Sequence, residues 1–391
     1  MTFPTPANPF TAVGVLLIRS IPLRRDSRST KMATAYRDRG YHVTPVTWSR
    51  GEAADADEGY VCTVRAGYGD QLKSLSARLK WMAFIALTMI KTRKRYRVIH
   101  TVDLDTAIVS VPLALILRKK VVYDAFDSIS AILGAGHLST ILKKIERFLI
   151  ARSDVAIFPD PVRLDQYGIC KRDNVAIVSN IPDTDIAPVA MDTGHAARPD
   201  NHRLRCVYVG TLEAHHRGLE YIAEICRALP DHIEFVIGGT GQIERQLIKE
   251  SECVENLSYL GRMDYADAIA LMKSADLLFA PYLLSAPAHR FASPNKVFEH
   301  YMLGRALFTN SGIPPATMAK QSASGFFFDG TLKSAIATLS AIDKADCKDA
   351  GQRARRFWDN HYSNLRARQL DGFFAKAAGF EPNTPTSIAH G

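Results

Sequence analysis

The sequence predicts an α/β protein built from two open parallel sheets, one in each half of the chain. Three observations carry this. Short apolar runs of strand length alternate with helical patterns along both halves. The alternation breaks at 183–203 (DTDIAPVAMDTGHAARPDNHR), a stretch rich in Pro, Asp, Gly and Ala with no period. The length, 391 residues, suits two domains of roughly 100–200 residues each.

In the first half, Val13–Ile18 (VGVLLI) is a buried parallel strand. A basic loop leads to a helix over about Ser29–Arg39, stopped by Gly40, and Val43–Trp48 is the second strand. The acidic stretch 51–59 is a loop. Across 72–97, Leu72, Leu75, Leu79, Met82, Ala86 and Met89 recur at spacings of three and four, the mark of a helix face. Lys73, Arg78, Lys80, Lys91, Arg93, Lys94, Arg95 and Arg97 flank or oppose it. Strand Val98–His100 follows, then a loop with Asp103 and Asp105, an apolar helix to about Leu117, and strand Val121–Asp124. A helix near Leu138–Arg152 leads to strand Val155–Pro159.

The second half repeats the scheme. Strands fall at Leu204–Gly210, Ile233–Gly238, Leu257–Tyr259 and Leu277–Ala280, with helices at Leu219–Leu229, Gln242–Cys253 and Tyr265–Ser274. Helix, strand and helix follow near 294–303, 306–309 and 331–341. The helical stretch Asp349–Ala378 is long enough to cross back over the first domain, and 381–391 is a disordered tail. The expected division is 1–186, a linker at 187–203, a second domain at 204–350, crossover helices at 351–380 and the tail at 381–391.

Apolar content of 47% and charged content of 23% exclude disordered, collagenous and disulfide-scaffold classes. The excess charge is lopsided: residues 1–190 hold 27 Lys+Arg against 18 Asp+Glu, the whole of the +9, and the remainder balances at 22 each. A basic half suits an anionic partner (nucleic acid, acidic lipid or a phosphorylated substrate) or a solubilising surface. Nucleic acid is set aside, because the basic residues show no aromatic interleaving and no binding motif. The six cysteines are scattered without a CxxC pair, which argues against zinc and a secreted framework and for a reducing, cytosolic setting. The N-terminus MTFPTPANPF lacks the pattern of a signal peptide. The longest near-continuous apolar stretch, Trp81–Ile90, is about half of what a membrane span needs.

The densest chemistry lies in 293–304, SPNKVFEHYMLG. Ser293 suits an N-cap, Pro294 the first helical position and Gly304 the stop. Asn295, Lys296 and the backbone N–H groups then sit at the positive end of a helix, an anion site apt for a diphosphate. Glu299 lies one turn further in, where a carboxylate can accept two hydrogen bonds from a ribose diol. On spacing alone, a capped surface helix remains the alternative. In 209–218, VGTLEAHHRG, a strand ends in Gly210 and a basic loop with Thr211 and Arg217 enters a helix. Ligands in open α/β sheets bind beyond such strand ends, and Arg217 could hold a phosphate. Gly238-Gly239-Thr240-Gly241 follows another strand, and its glycines permit close backbone approach.

These segments resemble glycosyltransferase family 4. SPNKVFEHYMLGRALFTN is similar to its SPNK-hydrophobic-FEYMA-x-GKPV signature, YVGTLEAHHRGLEYI to its donor loop, and LGRMDYADAIALMKSADLLFAPY to the segment before the signature. In the first half, VIHTVDLDTA resembles IH-A-x-DLDT and VVYDAFDSI resembles LVYD-x-HE. The resemblance covers most of 13–375. It implies the GT-B fold: two Rossmann-like domains facing a cleft, an acceptor side in the first and a nucleotide sugar in the second. It also implies retention of anomeric configuration and no metal. Carried over, Glu299 holds the ribose, Lys296 and Asn295 sit by the diphosphate, Arg217 stabilises the leaving phosphate, and Gly210, Thr211, Gly239 and Gly241 complete the donor site. Asp103 joins Arg217 and Lys296 as a catalytic candidate, with Asp105, Asp124 and Asp127 on the acceptor side; each Asp suits a turn or cap equally well.

The sequence departs from the family at Phe291, where the first of two signature glutamates would stand, and at Thr211, where an Arg is common. Val102 replaces a His, and Tyr123-Asp124-Ala125-Phe126-Asp127 departs from YD-x-HE. The expected partners are a nucleotide-sugar donor, which is a substrate rather than a cofactor, and a lipid-linked or glycan acceptor. An anionic membrane surface would be met through 72–97, and no nucleic acid is expected. The expected setting is the cytoplasmic face of the cell membrane, in exopolysaccharide or cell-envelope glycan synthesis. A nucleotide-sugar 2-epimerase and a non-catalytic binding protein share the same architecture.

Overall fold

The computed structural model describes residues 13–51, 59–66, 75–128, 136–169, 173–182 and 202–380. Leu72, Lys73, nearly all of the expected linker and the 381–391 tail lie outside the described residues. The chain divides into two compact units: 1–179 with 367–391, and 180–366.

The first unit is built on seven parallel strands in the order β3-β2-β1-β4-β5-β6-β7. They are β1 Gly14–Arg19, β2 His42–Trp48, β3 Tyr60–Cys62, β4 Val98–Val102, β5 Lys120–Asp124, β6 Val155–Phe158 and β7 Val175–Ile177. The central strands are buried on both faces, which is why they read as continuous apolar runs. Alternation along β1 divides the core. Leu16 and Ile18 face α2 (Leu75–Lys91), α3 (Asp103–Ile116) and α4 (His137–Arg152). Val15 and Leu17 face α1 (Ser27–Arg37) and a C-terminal helix. A short α5 (Val162–Tyr167) precedes β7.

Three sequence expectations change here. The three-residue edge strands β3 and β7 are additions for which the sequence reading had no element. Helix α1 starts earlier than expected, because Asp26 caps it, accepting from the N–H groups of Arg28 (3.1 Å) and Ser29 (3.0 Å). Asp103 and Asp105 lie in the first turn of α3, not in a loop.

The second unit has six parallel strands in the order β10-β9-β8-β11-β12-β13. These are β8 Leu204–Val209, β9 Ile233–Gly238, β10 Leu257–Tyr259, β11 Leu277–Phe279, β12 Ala306–Asn310 and β13 Gly325–Phe328. Phe279, Phe308 and Phe328 stack across three neighbouring strands, with centroids 5.7 and 5.0 Å apart. The helices are α6 Ile222–Ala228, α7 Glu244–Cys253, α8 Tyr265–Ser274, α9 Asn295–Leu303, α10 Pro314–Gln321, α11 Leu332–Ser340 and α12 Lys344–Phe357.

The long C-terminal helical stretch is not one rod. A π turn at Trp358–Tyr362 separates α12 from α13 (Leu365–Lys376). From Ala367 onward the chain belongs to the first unit, as the crossing-back expectation requires. Leu370, Phe373, Ala377 and Phe380 join the core around Tyr36 there.

Helix α2 corrects the reading of 72–97. The helix ends at Lys91, so Arg93–Arg97 lie beyond it. Ala77, Trp81, Ile85 and Met89 face the core, and the supposed stripe is split: Met89 is buried whereas Leu75 is 67% and Leu79 57% exposed. Both faces of α2 are apolar, so periodicity could not say which one packs.

Candidate active site

In the second unit the strand order reverses between β8 and β11. At such a switch point the loops beyond the carboxyl ends diverge and leave a crevice. Residues 210–218, 239–241 and the start of α9 follow the strands of this sheet.

Helix α9 begins at Asn295, with Pro294 as N-cap, one residue later than the sequence suggested. Ser293 is not the cap; its carbonyl accepts from Asn180 Nδ2 at 2.8 Å. The N-cap Pro294 has no side-chain acceptor and makes no side-chain cap, and backbone N–H groups at such a helix start favour an anion. Gly304 closes the helix in the left-handed conformation at φ 61°.

Lys296 is half-buried, and its Nζ lies 3.8 Å from the centroid of the Tyr208 ring. A Cβ at Gly210 would stand 3.0 Å from that Nζ, so the glycine leaves room for the ammonium. The Tyr208 hydroxyl donates to the Thr211 carbonyl at 2.7 Å, tying ring and loop together. Arg217 completes the cationic group. Its Nε and Nη2 donate to Glu213 at 3.0 and 3.3 Å, and its guanidinium lies 4.2 Å from the Tyr282 ring centroid. Tyr282 is held in turn by Asn310, which accepts from its N–H (2.7 Å) and donates to its carbonyl (3.0 Å).

Burial, and then the nearby Arg217 charge, pull the Lys296 ammonium down to about 7 against the pull of Glu299 and Glu213. Burial works against the Arg217 charge too, but Tyr282 and Glu213 outweigh it and raise its pKa. Glu299 is buried and accepts from the Tyr265 hydroxyl at 3.2 Å. On the same helix, His300 donates from Nδ1 to the Val297 carbonyl at 2.5 Å and accepts at Nε2 from Ser324 at 3.1 Å. Burial lowers its pKa to about 3, so it is neutral packing.

The glycines at 239 and 241 serve the fold in a way the sequence did not suggest. A Cβ on Gly239 would lie 1.9 Å from the Gly210 carbonyl oxygen, and one on Gly241 2.5 Å from that of Leu212. The close approach is between two loops of the sheet. Tyr208, Glu213, Tyr265 and Tyr282 were not singled out from the sequence; only the i,i+4 spacing of Glu213 and Arg217 offered a signal.

The first unit gathers its own polar cluster at the carboxyl ends of β1, β4 and β5. Asp103 has φ 62°, unusual for a side-chain-bearing residue. Its Oδ1 accepts from the N–H groups of Phe126 (2.7 Å) and Asp127 (3.0 Å), and its Oδ2 pairs with Arg19 at 3.0 Å. Arg19 also pairs with Asp26 at 2.5 Å. Burial pushes the Asp103 carboxyl up to about 7, against the Arg19 charge and helped by Asp127 and Asp105. Asp124 is fully buried; burial raises its pKa, but Arg28 at 2.8 Å and His100 at 3.4 Å outweigh that and hold it below the usual range. Asp127 lies 3.4 Å from Arg163. The Phe126 ring sits 4.7 Å from the Arg19 guanidinium and 5.0 Å from that of Arg28. Asp103 and Asp124 thus latch the loop after β5 and anchor α1. Among the described residues no group of three His, Cys, Asp or Glu is placed to hold a metal ion.

Residues 203–341 match the family model of glycosyl transferases group 1. A search of the curated proteins finds no match. Among solved structures the chain is similar to sucrose-phosphate synthase from Thermosynechococcus elongatus, with a TM-score of 0.72, 12% identity and coverage of 94% of this chain and 99% of that one. It is similar to WaaG, a glycosyltransferase involved in lipopolysaccharide biosynthesis, with a TM-score of 0.63, 15% identity and coverage of 92% and 98%. It is also similar to Anabaena HepE in complex with UDP-glucose, with a TM-score of 0.62, 16% identity and coverage of 94% and 98%. The chain therefore has the GT-B fold, and residues 203–341 of its second unit carry the match to glycosyl transferases group 1.

Proposed function

We propose that the chain is a retaining glycosyltransferase that moves a hexose-type unit from a nucleotide sugar to a lipid-linked or polysaccharide acceptor, in exopolysaccharide or cell-envelope glycan synthesis. The observation that carries this is the start of α9: a helix that opens on the N-cap Pro294, Lys296 set over Tyr208 beside Gly210, and Glu299 buried one turn in. A diphosphate suits this place, because the Lys296 charge is buried beside that of Arg217 and is answered only in part. Glu299 takes the ribose diol. Glu213 holds the Nε and Nη2 edge of Arg217, and Nη1 meets a phosphate oxygen. As the bond from the anomeric carbon to the donor's phosphate oxygen breaks, an acceptor hydroxyl bonds to that carbon from the same face and passes its proton to the departing phosphate, on which negative charge grows. Lys296, Arg217 and the helix amides stabilise it without a metal. In the first unit, Asp103, Asp105, Asp124 and Asp127 shape the acceptor side, and α2 meets an anionic membrane at the cytoplasmic face.

HepE is described with UDP-glucose, so uridine diphosphate sugars come first in the test. A panel of nucleotide sugars is screened by thermal shift, since a ligand bound only to the folded state raises the melting point. The donor found is then labelled in its sugar and incubated with membrane extract. Label in the lipid or polymer fraction is the expected result. Conversion of the donor with no acceptor marks a nucleotide-sugar 2-epimerase instead, and binding with no product in either fraction marks a non-catalytic binding protein.

A further inference from the structure

Twelve large apolar side chains are exposed among the described residues, and nine of them lie on three helices of the first unit. Leu75, Leu79, Leu87 and Ile90 are on α2, Leu115 and Ile116 at the end of α3, and Leu138, Ile141 and Phe148 on α4. These helices are neighbours, with α3 packed against both others, and they cover one face of the sheet through a shared core. The exposure is large: Ile116 is 76%, Leu87 54% and Phe148 53% exposed. Clustered apolar surface of this kind marks a docking face rather than ordinary scatter.

The charge on this layer is strongly one-sided. The spans 75–97, 103–120 and 136–152 hold 14 Lys and Arg against three acids, Asp103, Asp105 and Glu146, and Asp103 is buried. Glu146 is buried, accepting from the hydroxyls of Tyr123 and Ser128 at 3.2 Å each. On α4 the exposed apolar residues Leu138, Ile141 and Phe148 recur at helical spacing, with Lys144, Arg147 and Arg152 beside them. The Arg152 guanidinium lies 5.0 Å from the Phe148 ring centroid.

We infer that α2, the end of α3 and α4 form one composite docking surface for an anionic lipid bilayer, with α4 inserting Ile141 and Phe148. This rests on the reading of α2 as membrane-facing and extends it to a second helix outside residues 72–97. Apolar side chains enter the boundary between headgroups and acyl chains while Lys and Arg meet lipid phosphates. A second copy of the chain fits poorly, because a two-fold contact would set this positive layer against itself. Nucleic acid has no use for exposed Leu and Ile, and Phe148 is the only exposed aromatic among the nine.

The test is cosedimentation of the full chain with vesicles of phosphatidylcholine alone or containing phosphatidylglycerol. The parent is expected on the anionic vesicles only, with binding lost as salt rises from about 0.1 to about 0.5 M. Ile141→Ser with Phe148→Ser should weaken binding about tenfold or more at unchanged melting temperature, since both residues are exposed. Lys144→Glu with Arg147→Glu should weaken it and flatten the salt dependence. The inference is overturned if the parent ignores anionic vesicles, if neutral vesicles bind it equally, or if the Ile141/Phe148 variant binds like the parent. It is also overturned if that variant turns a dimer into a monomer in sedimentation, which would place a second copy on the face. Donor-induced thermal shift is read on the same samples. A retained shift without vesicle binding sinks the docking surface alone, and vesicle binding without a shift sinks the transferase reading alone.

Discussion

At the scale of single residues, Lys296 makes the site sensitive to pH. Its folded pKa is drawn down to about 7 by burial and by Arg217, against about 10.4 for an unperturbed lysine. Between those values the unfolded chain holds more protons, so this group makes stability rise with pH, and its cost is full below the folded pKa. A diphosphate reverses the preference by favouring the ammonium. The proposed donor site therefore predicts proton uptake on binding above about pH 7, with affinity falling by up to about tenfold per pH unit as pH climbs further. Calorimetric titration of a nucleotide sugar at several pH values, in two buffers of different ionisation heat, reads both effects. Lys296→Met should abolish the proton uptake and flatten the profile. Glu299→Gln should cost about 10- to 100-fold in donor affinity, as expected for losing hydrogen bonds to a buried carboxylate. The same titration checks it, with the melting temperature as control. The helix that carries both residues was legible in the sequence from Pro294 and Gly304, whereas their donor roles came from the family resemblance, since spacing alone left a capped surface helix open. Tyr208 and Tyr282 were not legible: an aromatic ring under a cation comes from another element and leaves no local spacing to read.

At the scale of elements, the loops of the second unit depend on absent side chains. Gly239 is at φ 133° with the Gly210 carbonyl where its Cβ would be, whereas Gly261 is at φ 74° with nothing within 4 Å. Gly239→Ala should destabilise the chain by about 3 kcal/mol. Gly261→Ala should cost about 1 kcal/mol, the backbone conformation alone. Urea unfolding of the two variants measures the difference, and equal losses would mean that the two loops can move apart. The contrast also shows where sequence reasoning stops. A Gly-Gly-Thr-Gly turn announces a close approach but not what approaches. The alternation of strands and helices was plain, because the central strands are buried on both faces. The edge strands β3 and β7 went unread, whereas β10, just as short, was found because clear helical patterns bracket it on both sides. Helix α2 was found, but which side faces outward was not, since both sides are apolar.

At the scale of the whole molecule, the chain closes its first unit with its last helix. Phe373 packs within 5.9 Å of the Tyr36 ring, centroid to centroid, and is fully buried. Phe373→Ala should destabilise the first unit by about 3–5 kcal/mol. Urea unfolding in a Trp358→Phe background reads it, since Trp48 and Trp81, both in the first unit, then report alone. An unchanged first-unit transition would mean that the C-terminal helix is dispensable. The central claim is that α9 of the second unit receives a paired phosphate. Its most direct test is calorimetric binding of the nucleoside diphosphate matching the donor, beside the corresponding monophosphate, to the parent chain and to Lys296→Ala. The diphosphate should bind the parent at least about tenfold tighter, a difference of about 1.4 kcal/mol or more, and the Lys296→Ala chain should lose that preference. Equal affinity for the two nucleotides, or a preference that survives the substitution, would contradict the account.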